Sequence, residues 1–284
     1  MGKNYRSELV GLLGDPVDGN PTGVMEEAAF AAAGLNYRYI TIRVRPEDLD
    51  AAMAGVRAFG MKGLNLTMPH KIEVIKHMDA LTEAAEIIGA VNTVFLRDGK
   101  LIGENTDGKG FVRSLLDEGI TLLGKRVAIL GAGGAAKAIG VECALAGADS
   151  ITIINRNRVR GEALAGKIAR HTAARAEFIP WEGKVAVPVN TEILINATCV
   201  GLTPNDSEKP EIDYNGIKPG MTVCDVVFNP VMPVFLKEAK ERGAKVITGI
   251  GMLVNQGALN FSLWTGVEPD RSVMFECLKR EFNG

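Results

Sequence analysis

Residues 124–148 read GKRVAILGAGGAAKAIGVECALAGA, and this stretch decides the fold. GKRVAIL has the short, branched apolar run of a buried strand, and the residues after the glycines have the composition of an apolar helix. Between them, GAGGAA fits G-x-G-x-x-[GA]: Gly131 permits the tight turn, Gly133 lets the backbone approach a pyrophosphate, and Ala136 allows close helix packing. Free N–H groups at the helix start favour an anion there. The stretch therefore predicts a strand–turn–helix unit that binds a dinucleotide, although a plain tight turn would give the same pattern.

The same alternation of apolar runs and helical periodicity extends outward in both directions and predicts an α/β fold. Downstream, four more short apolar runs alternate with helices: SITIIN, EILINAT, TVCDVVF and AKVIT. Upstream, SELVGLLG, NYRYITIRV and KGLNLT read as strands, and Asp98-Gly99 suits a type I′ hairpin turn. We expect an N-terminal α/β substrate and catalytic domain (1–106, joined by C-terminal helices at about 251–284) and a Rossmann-type doubly wound dinucleotide-binding domain (107–250).

Composition excludes several classes of function. The 284 residues are 46% hydrophobic and 23% charged with a net charge of −2, which is typical of a globular protein rather than a collagen, a disordered chain or a disulfide scaffold. Without a basic run, nucleic acid and membrane are poor candidates as partners, and small molecules are favoured. No apolar stretch reaches the roughly 18 to 20 residues of a spanning helix, and the apolar run near the start is too short for a signal peptide. We expect a cytoplasmic protein, either a monomer or a homodimer.

Cysteine and histidine spacing predicts neither a metal nor a redox centre. The cysteines contain no CxxC pair, so buried, reduced thiols are expected. The histidines His70, His77 and His171 lack the spacing of metal ligands. We therefore expect no metal.

Cofactor choice is set about 20 residues after the glycine turn, where an acidic side chain would bind the free ribose 2′-hydroxyl of NAD. Here residues 154–160 read INRNRVR, with three arginines and no acid until Glu162. A guanidinium suits a 2′-phosphate. The loop favours NADP over NAD, although a solvated basic loop would look the same.

Two residues could carry acid/base chemistry. Lys71 ends the segment GLNLTMPHK (63–71), in the first turn of a predicted helix, where the positive end of the helix dipole disfavours a cation. Asp107 in ENTDG (104–108) is predicted to cap the next helix. Considered separately, Lys71 would be interpreted as a solvent-exposed charge, and Asp107 only as the cap of a helix.

Together, six segments resemble the shikimate dehydrogenase family over essentially the whole chain. They are NLTMPHK (65–71), AVNT (90–93), NTDG (105–108), GAGGAAKA (131–138), NR (155–156) and GMLVNQGALNFSLWTG (251–266). The resemblance implies a reversible, NADP-dependent reduction of 3-dehydroshikimate to shikimate, a cyclohexene carboxylate, in aromatic amino acid and chorismate biosynthesis. It also implies the catalytic pair Lys71 and Asp107, with Lys71 passing the proton and Asp107 orienting its ammonium group.

The resemblance assigns the remaining site residues as well. Thr67, Asn92 and Gln256 would bind the ring hydroxyls. The dinucleotide would contact Gly131, Ala132, Gly133, Gly134, Ala135, Asn155, Arg156, Arg160, Gly251 and Met252.

The chain departs from the family pattern where the substrate carboxylate binds. Members usually carry H-S-x-S-P after the first strand, with both serine hydroxyls on the carboxylate, whereas Asn20 and Thr22 stand here. A tyrosine common in the family is replaced by Phe228. A quinate or aminoshikimate dehydrogenase, a divergent member of the family, and a non-catalytic NADP-binding redox sensor therefore stay open as alternatives.

Overall fold

A computed structural model describes residues 5–283 of the chain. The chain divides into two compact units, one of residues 1–106 with 256–284 and one of residues 107–255. The unit that contains both chain ends is called the N-terminal unit below, and the other the Rossmann unit. Helices at both crossing points carry the chain from one unit to the other.

The N-terminal unit is built on a six-stranded mixed sheet of order β2-β1-β3-β5-β6-β4. Its strands are β1 (Glu8–Gly14), β2 (Tyr37–Arg43), β3 (Gly63–Leu66), β4 (Ala80–Leu81), β5 (Thr93–Arg97) and β6 (Lys100–Glu104). Strands β1, β2 and β3 are parallel, and β5 runs antiparallel to both of its neighbours. The β5–β6 turn has φ of 51° at Asp98 and 75° at Gly99, as a type I′ turn requires.

Helices cover this sheet and close its core. They are α1 (Thr22–Ala32), α2 (Leu49–Ala58), α3 (His70–Glu73) and α4 (Glu83–Ile88), and two 3-10 turns span Pro46–Asp48 and Val74–His77. Leu49, Met53 and Val56 of α2 are buried, as their spacing on one helix face predicts. They pack with Leu64 and Val94 in one apolar cluster.

The C-terminal helices complete the N-terminal unit from residue 256 onward. Helix α5 (Thr106–Asp117) leaves this unit, α9 (Gly249–Thr265) returns to it, and α10 (Arg271–Asn283) packs on α1. Phe30 of α1 stacks on Phe261 of α9 at 5.0 Å between ring centroids. The Trp264 indole donates to the Val94 carbonyl (3.0 Å). These contacts fix the part of α9 that follows Gln256 against the N-terminal sheet.

The Rossmann unit is a six-stranded parallel sheet of order β14-β13-β11-β7-β8-β9. The strands are β7 (Arg126–Leu130), β8 (Ser150–Asn155), β9 (Arg175–Pro180), β11 (Ile193–Asn196), β13 (Thr222–Asp225) and β14 (Lys245–Ile247). Numbered within this unit, the order is the 3-2-1-4-5-6 of dinucleotide-binding sheets, whose ligands bind at the carboxyl ends of the strands. The predicted α/β fold with a Rossmann-type sheet is therefore confirmed.

Three helices, a 3-10 turn and a small two-stranded sheet flank the parallel sheet. They are α6 (Gly134–Leu145), α7 (Arg158–His171), α8 (Val234–Glu241), the turn Tyr214–Gly216, and the pair β10 (Val185–Ala186) and β12 (Ile212–Asp213). The core includes Ala128, Leu194 and Val223 from the three central strands, packed with Phe235 of α8.

Several sequence-based expectations need correction. Strand β9, with the sequence RAEFIP, was not predicted; it is an edge strand, where a terminal proline removes no needed hydrogen bond. Cys199 is exposed and Cys277 half-buried, so the expectation of buried thiols holds for Cys143 and Cys224 only. Asp107 is the second residue of α5 rather than its cap, because the helix begins at Thr106. Within residues 5–283, no helix is long and apolar enough to cross a membrane.

Candidate active site

The glycine turn follows β7 in the Rossmann unit. Gly131 has φ of 110°, and a Cβ atom there would lie 3.0 Å from the Thr198 methyl carbon, so only glycine fits without strain. Gly133 and Gly134 are exposed, and a Cβ atom at either would find no atom within 4 Å. Helix α6 begins at Gly134. Its first N–H groups therefore adjoin open space, and the residues present fit a dinucleotide pyrophosphate.

The loop after β8 is organised by two asparagines. The Asn155 side-chain amide donates to the carbonyl of Asn157 (2.8 Å), and the Asn157 side chain caps α7 by accepting from the backbone N–H of Arg160 (3.0 Å). These bonds fix the backbone that carries the three arginines.

The three arginines of this loop are not equivalent. Arg158 forms an ion pair with Glu162 (2.9 Å) one turn along α7. Arg156 and Arg160 are exposed, and neither forms an ion pair with another of residues 5–283. Their guanidinium groups are therefore the ones open to a 2′-phosphate.

A cavity of about 330 Å³ adjoins this loop. Asn155 and Arg156 line it together with Trp181, a residue that sequence reasoning did not select. The backbone N–H of Trp181 donates to the Asn155 carbonyl (3.1 Å), and its indole donates to the Glu211 carbonyl (3.0 Å). A fixed aromatic face beside the predicted ribose site suits a planar base. No motif marks Trp181, because its position depends on the unpredicted β9.

Buried polar residues lie at the carboxyl ends of β11 and β13. The Asn196 amide donates to Asp225 Oδ1 (3.0 Å), which also accepts from the Val227 N–H (2.9 Å). Oδ2 of Asp225 is buried with no hydrogen-bond partner among the described residues. Burial raises the pKa of Asp225 to about 7, although the Val227 N–H, the Asn196 amide and the Val226 N–H each lower it.

Lys71 lies in α3 of the N-terminal unit and is half-buried. The helix is one turn long and gives way to a 3-10 turn, so the expected influence of a helix dipole on Lys71 is small. The carbonyl of Lys71 accepts the backbone N–H of Val91 (2.7 Å), which joins the lysine segment to AVNT. His70, its neighbour, is buried, and its ring donates to the Val44 carbonyl (2.7 Å).

Asn92 is the centre of a buried polar cluster in the same unit. Its side-chain oxygen accepts the backbone N–H of Thr106 (2.8 Å), and its amide donates to the Thr106 hydroxyl (3.0 Å). Thr106 in turn donates to Asn260 Oδ1 (2.7 Å), and the Asn260 amide donates to Gln256 Oε1 (3.0 Å). Asn92 and Gln256, both predicted to bind substrate, thus belong to one hydrogen-bonded cluster.

Asn20, Thr22 and Thr67 lie in loops and helix starts of this unit. The Asn20 side-chain oxygen accepts the backbone N–H of Thr22 (3.0 Å), and Thr22 is buried as the first residue of α1. Thr67 is half-buried, and a Cβ atom on Gly14 would lie 2.1 Å from its methyl carbon. The glycine that ends β1 therefore makes room for Thr67.

The other predicted residues belong to the Rossmann unit. Asp107 is half-buried near the start of α5. Gly251 and Met252 are half-buried in the first turn of α9, where a Cβ atom on Gly251 would lie 3.1 Å from Ser114 Cβ.

Comparison with known proteins places the chain in a family. Residues 12–94 match the model of the shikimate dehydrogenase substrate-binding domain, and residues 249–274 match that of the shikimate 5′-dehydrogenase C-terminal domain. A relative from Desulforamulus reducens, the NADP(+) shikimate dehydrogenase, is 41% identical over 98% of this chain and 97% of its own. The chain belongs to the shikimate dehydrogenase family. The predicted membership is thereby confirmed.

Two solved structures resemble the chain over nearly its whole length. One, the 5-ketofructose reductase of Gluconobacter sp. strain CHM43, is 45% identical with a TM-score of 0.94, covering 98% of this chain and 100% of that one. The other, a shikimate dehydrogenase in complex with NADP+, is 40% identical with a TM-score of 0.91, covering 98% and 97%.

Within the shikimate dehydrogenase family, the curated relatives are NADP-dependent oxidoreductases. The predictions of an oxidoreductase and of NADP as its cofactor are confirmed at this level. The roles of individual residues stay predictions.

Proposed function

We propose that this chain is an NADP-dependent dehydrogenase of the shikimate type, which reversibly reduces the ring ketone of 3-dehydroshikimate to shikimate. The observation that carries the proposal is the link between Lys71 and the buried polar cluster. Lys71 and AVNT are joined by a backbone hydrogen bond, and Asn92 of AVNT bonds to Thr106, which directly precedes Asp107. The ammonium group of Lys71, the amide of Asn92 and the carboxylate of Asp107 are therefore connected through short chain segments and two hydrogen bonds.

NADPH, when bound, supplies the hydride that adds to the carbonyl carbon. The ammonium group of Lys71 stabilises the negative charge that develops on the carbonyl oxygen and donates the proton that completes the alcohol. In the oxidative direction, the neutral amine accepts that proton. Asp107 orients the ammonium group. The exposed N–H groups after Gly133 and the guanidinium of Arg156 would hold the dinucleotide phosphates.

Hydroxyl recognition falls to Thr67, Asn92 and Gln256, which present short polar groups of the N-terminal unit. Asn20 and Thr22 would bind the carboxylate of the substrate. Both can donate hydrogen bonds, but they replace the two serines that members of the family usually carry. The loss of a hydrogen bond to a charged group typically costs about 1.5 to 3 kcal/mol, so this end should bind shikimate less tightly than two serines would.

Reduction of 5-ketofructose is the second candidate function. Two observations favour it. The 5-ketofructose reductase structure is 45% identical to this chain against 40% for the shikimate dehydrogenase structure. The substitutions at Asn20 and Thr22 also alter the end of the site that would bind a carboxylate, a group that this ketosugar lacks.

We also propose a cytoplasmic location. The free thiols of Cys143, Cys199, Cys224 and Cys277 are typical of a reducing compartment. The enzyme would act as a monomer or homodimer.

Initial rates with purified protein test the proposal. Shikimate, quinate and aminoshikimate are each oxidised with NADP+ and with NAD+, and 5-ketofructose is reduced with NADPH. The proposal expects turnover of shikimate with NADP+ that Lys71→Ala removes. Turnover of 5-ketofructose alone would replace it with the second candidate, and tight NADPH binding without any turnover would favour a redox sensor.

A further inference from the structure

Among the described residues, Trp181 is the one aromatic side chain that lines the cavity of about 330 Å³ beside the loop after β8. It is half-buried and packs on the apolar core of the Rossmann unit. Its backbone N–H donates to the Asn155 carbonyl (3.1 Å) and its indole N–H to the Glu211 carbonyl (3.0 Å). Val200 and Pro210 add apolar surface to the same cavity. The indole therefore has no donor left for a ligand and offers the cavity an apolar ring in a fixed orientation.

The position of Trp181 in the parallel sheet is next to the predicted ribose site. Asn155, at the carboxyl end of β8, pairs with Pro180 of β9, the residue before Trp181. In a dinucleotide-binding sheet, the adenosine ribose is bound at the end of the second strand, which is β8 here. The base attached to that ribose must lie close to the end of β8, where the cavity lined by Trp181 opens.

The charges around this cavity favour an uncharged base over a further phosphate. Two cationic side chains line it, but the ammonium group of Lys209 is paired with Glu238. The guanidinium of Arg156 is thus the cation that is open to a phosphate. Glu208 and Glu211 also line the cavity and are exposed, and their negative charges disfavour a second anion.

We infer that Trp181 is the binding surface for the adenine base of the dinucleotide: the base stacks on the indole ring, while Arg156 binds the 2′-phosphate. Stacking of a base on an aromatic side chain typically changes Kd by roughly five- to a hundredfold. Because NADP and NAD share adenine, Trp181 strengthens the binding of both, and Arg156 alone discriminates between them. The inference rests on the proposed dehydrogenase function only through its cofactor, so binding measurements test it without turnover.

Adenosine 2′,5′-bisphosphate is the probe, since it carries adenine and the 2′-phosphate but no nicotinamide. Trp181→Phe keeps an aromatic ring and Trp181→Leu keeps only an apolar side chain, and both remove the indole N–H that bonds to Glu211. By titration calorimetry, Trp181→Leu should raise Kd at least tenfold and Trp181→Phe by no more than about threefold. The control Glu182→Gln, which changes the exposed residue after Trp181, should leave Kd within twofold.

Two results of this titration would overturn the inference. Equal weakening in Trp181→Phe and Trp181→Leu would assign the effect to the lost hydrogen bond rather than to stacking. An unchanged Kd in Trp181→Leu would mean that the base lies elsewhere.

Binding of the whole cofactors separates Trp181 from Arg156. Trp181→Leu should raise Kd for NADP+ and for NAD+ by the same factor, because both carry adenine. Arg156→Ala should raise Kd for NADP+ and leave that for NAD+ nearly unchanged. An effect of Trp181→Leu on NADP+ alone would place Trp181 at the 2′-phosphate and overturn the inference.

Tryptophan fluorescence gives a readout that does not depend on affinity. The chain has two tryptophans, and the other, Trp264, is buried in the N-terminal unit with its indole bonded to the Val94 carbonyl. Saturating adenosine 2′,5′-bisphosphate should quench the fluorescence of wild type and leave that of Trp181→Phe unchanged, because a stacked base quenches the indole it contacts. Equal quenching in both proteins, or none in wild type, would overturn the inference.

The fluorescence comparison also decides the matter if Trp181→Leu does not fold. Failure of Trp181→Phe to fold as well would assign Trp181 a structural role and overturn the inference. Wild-type protein that binds neither the probe nor NADP+ would overturn the cofactor assignment together with the inference. Protein that shows the expected binding effects but turns over no substrate would overturn the proposed function and support the inference.

Discussion

The two units hold their predicted ligand-binding groups in opposite ways. In the Rossmann unit, Gly133, Gly134 and Arg156 are exposed and contribute little to packing. In the N-terminal unit, Asn92 and Gln256 are buried and hydrogen-bonded within the protein. A substitution that changes cofactor preference can therefore leave folding stability unchanged. A substitution that changes substrate preference should change folding stability as well.

The largest expected effect tests whether the chemistry belongs to the N-terminal unit. Lys71→Ala should lower kcat about a thousandfold, because a proton donor that acts on developing charge contributes mainly in the transition state. Shikimate and NADP+ should still bind within a few-fold of wild type. Steady-state rates and direct binding measurements check this.

Lys71→Arg is the matched variant, since it keeps a positive charge but holds its proton too tightly to transfer it. It should be nearly as inactive as Lys71→Ala. Either variant with more than a tenth of wild-type kcat would remove Lys71 from the acid/base role.

The next effect concerns the exposed groups of the Rossmann unit. Arg156→Ala should raise KM for NADP+ at least tenfold and change KM for NAD+ little, because the guanidinium serves only the 2′-phosphate. Tm should stay unchanged. Arg158→Ala, on the same loop but paired with Glu162, is the control and should leave the NADP+/NAD+ preference within twofold. If Arg156→Ala raised KM for NADP+ and for NAD+ equally, the Arg156 side chain would not contact the 2′-phosphate.

Sequence patterns predicted what is local in this chain and missed what depends on distant packing. The turns at Gly131 and Asp98-Gly99 were predictable because the backbone conformation itself demands those residues. Trp181 was missed because it enters the cavity only through the pairing of edge strand β9.

A buried residue of the N-terminal unit should change stability and binding together. Asn92→Ala leaves the buried N–H of Thr106 without its acceptor, which typically costs about 1 to 3 kcal/mol. Tm should fall by several degrees and KM for the substrate should rise in the same variant. A higher KM with unchanged Tm would contradict the coupling that the comparison of the two units predicts.

The smallest effect is a pH dependence that resides in the Rossmann unit. Burial raises the pKa of Asp225 to about 7 in the folded protein, from an unfolded value near 3.8. Between these values the folded state binds more protons than the unfolded state, so stability falls as pH rises. From pH 6 to pH 8, this group should lower the free energy of unfolding by about 1 kcal/mol.

Asp225→Asn isolates that contribution, because the asparagine oxygen can still accept from Asn196 and Val227. The position of Oδ2, which has no hydrogen-bond partner within residues 5–283, becomes an amide nitrogen. The Tm of Asp225→Asn minus the Tm of wild type should increase by a few degrees from pH 6 to pH 8, because only wild type loses stability through this group. Asp213→Asn is the control: the Asn215 N–H lowers the pKa of this exposed carboxyl, so its stabilising effect is lost only as pH falls well below 6. A pH-independent difference for Asp225→Asn would mean that Asp225 stays ionised, and the buried carboxyl would then need a partner other than Asn196 and Val227.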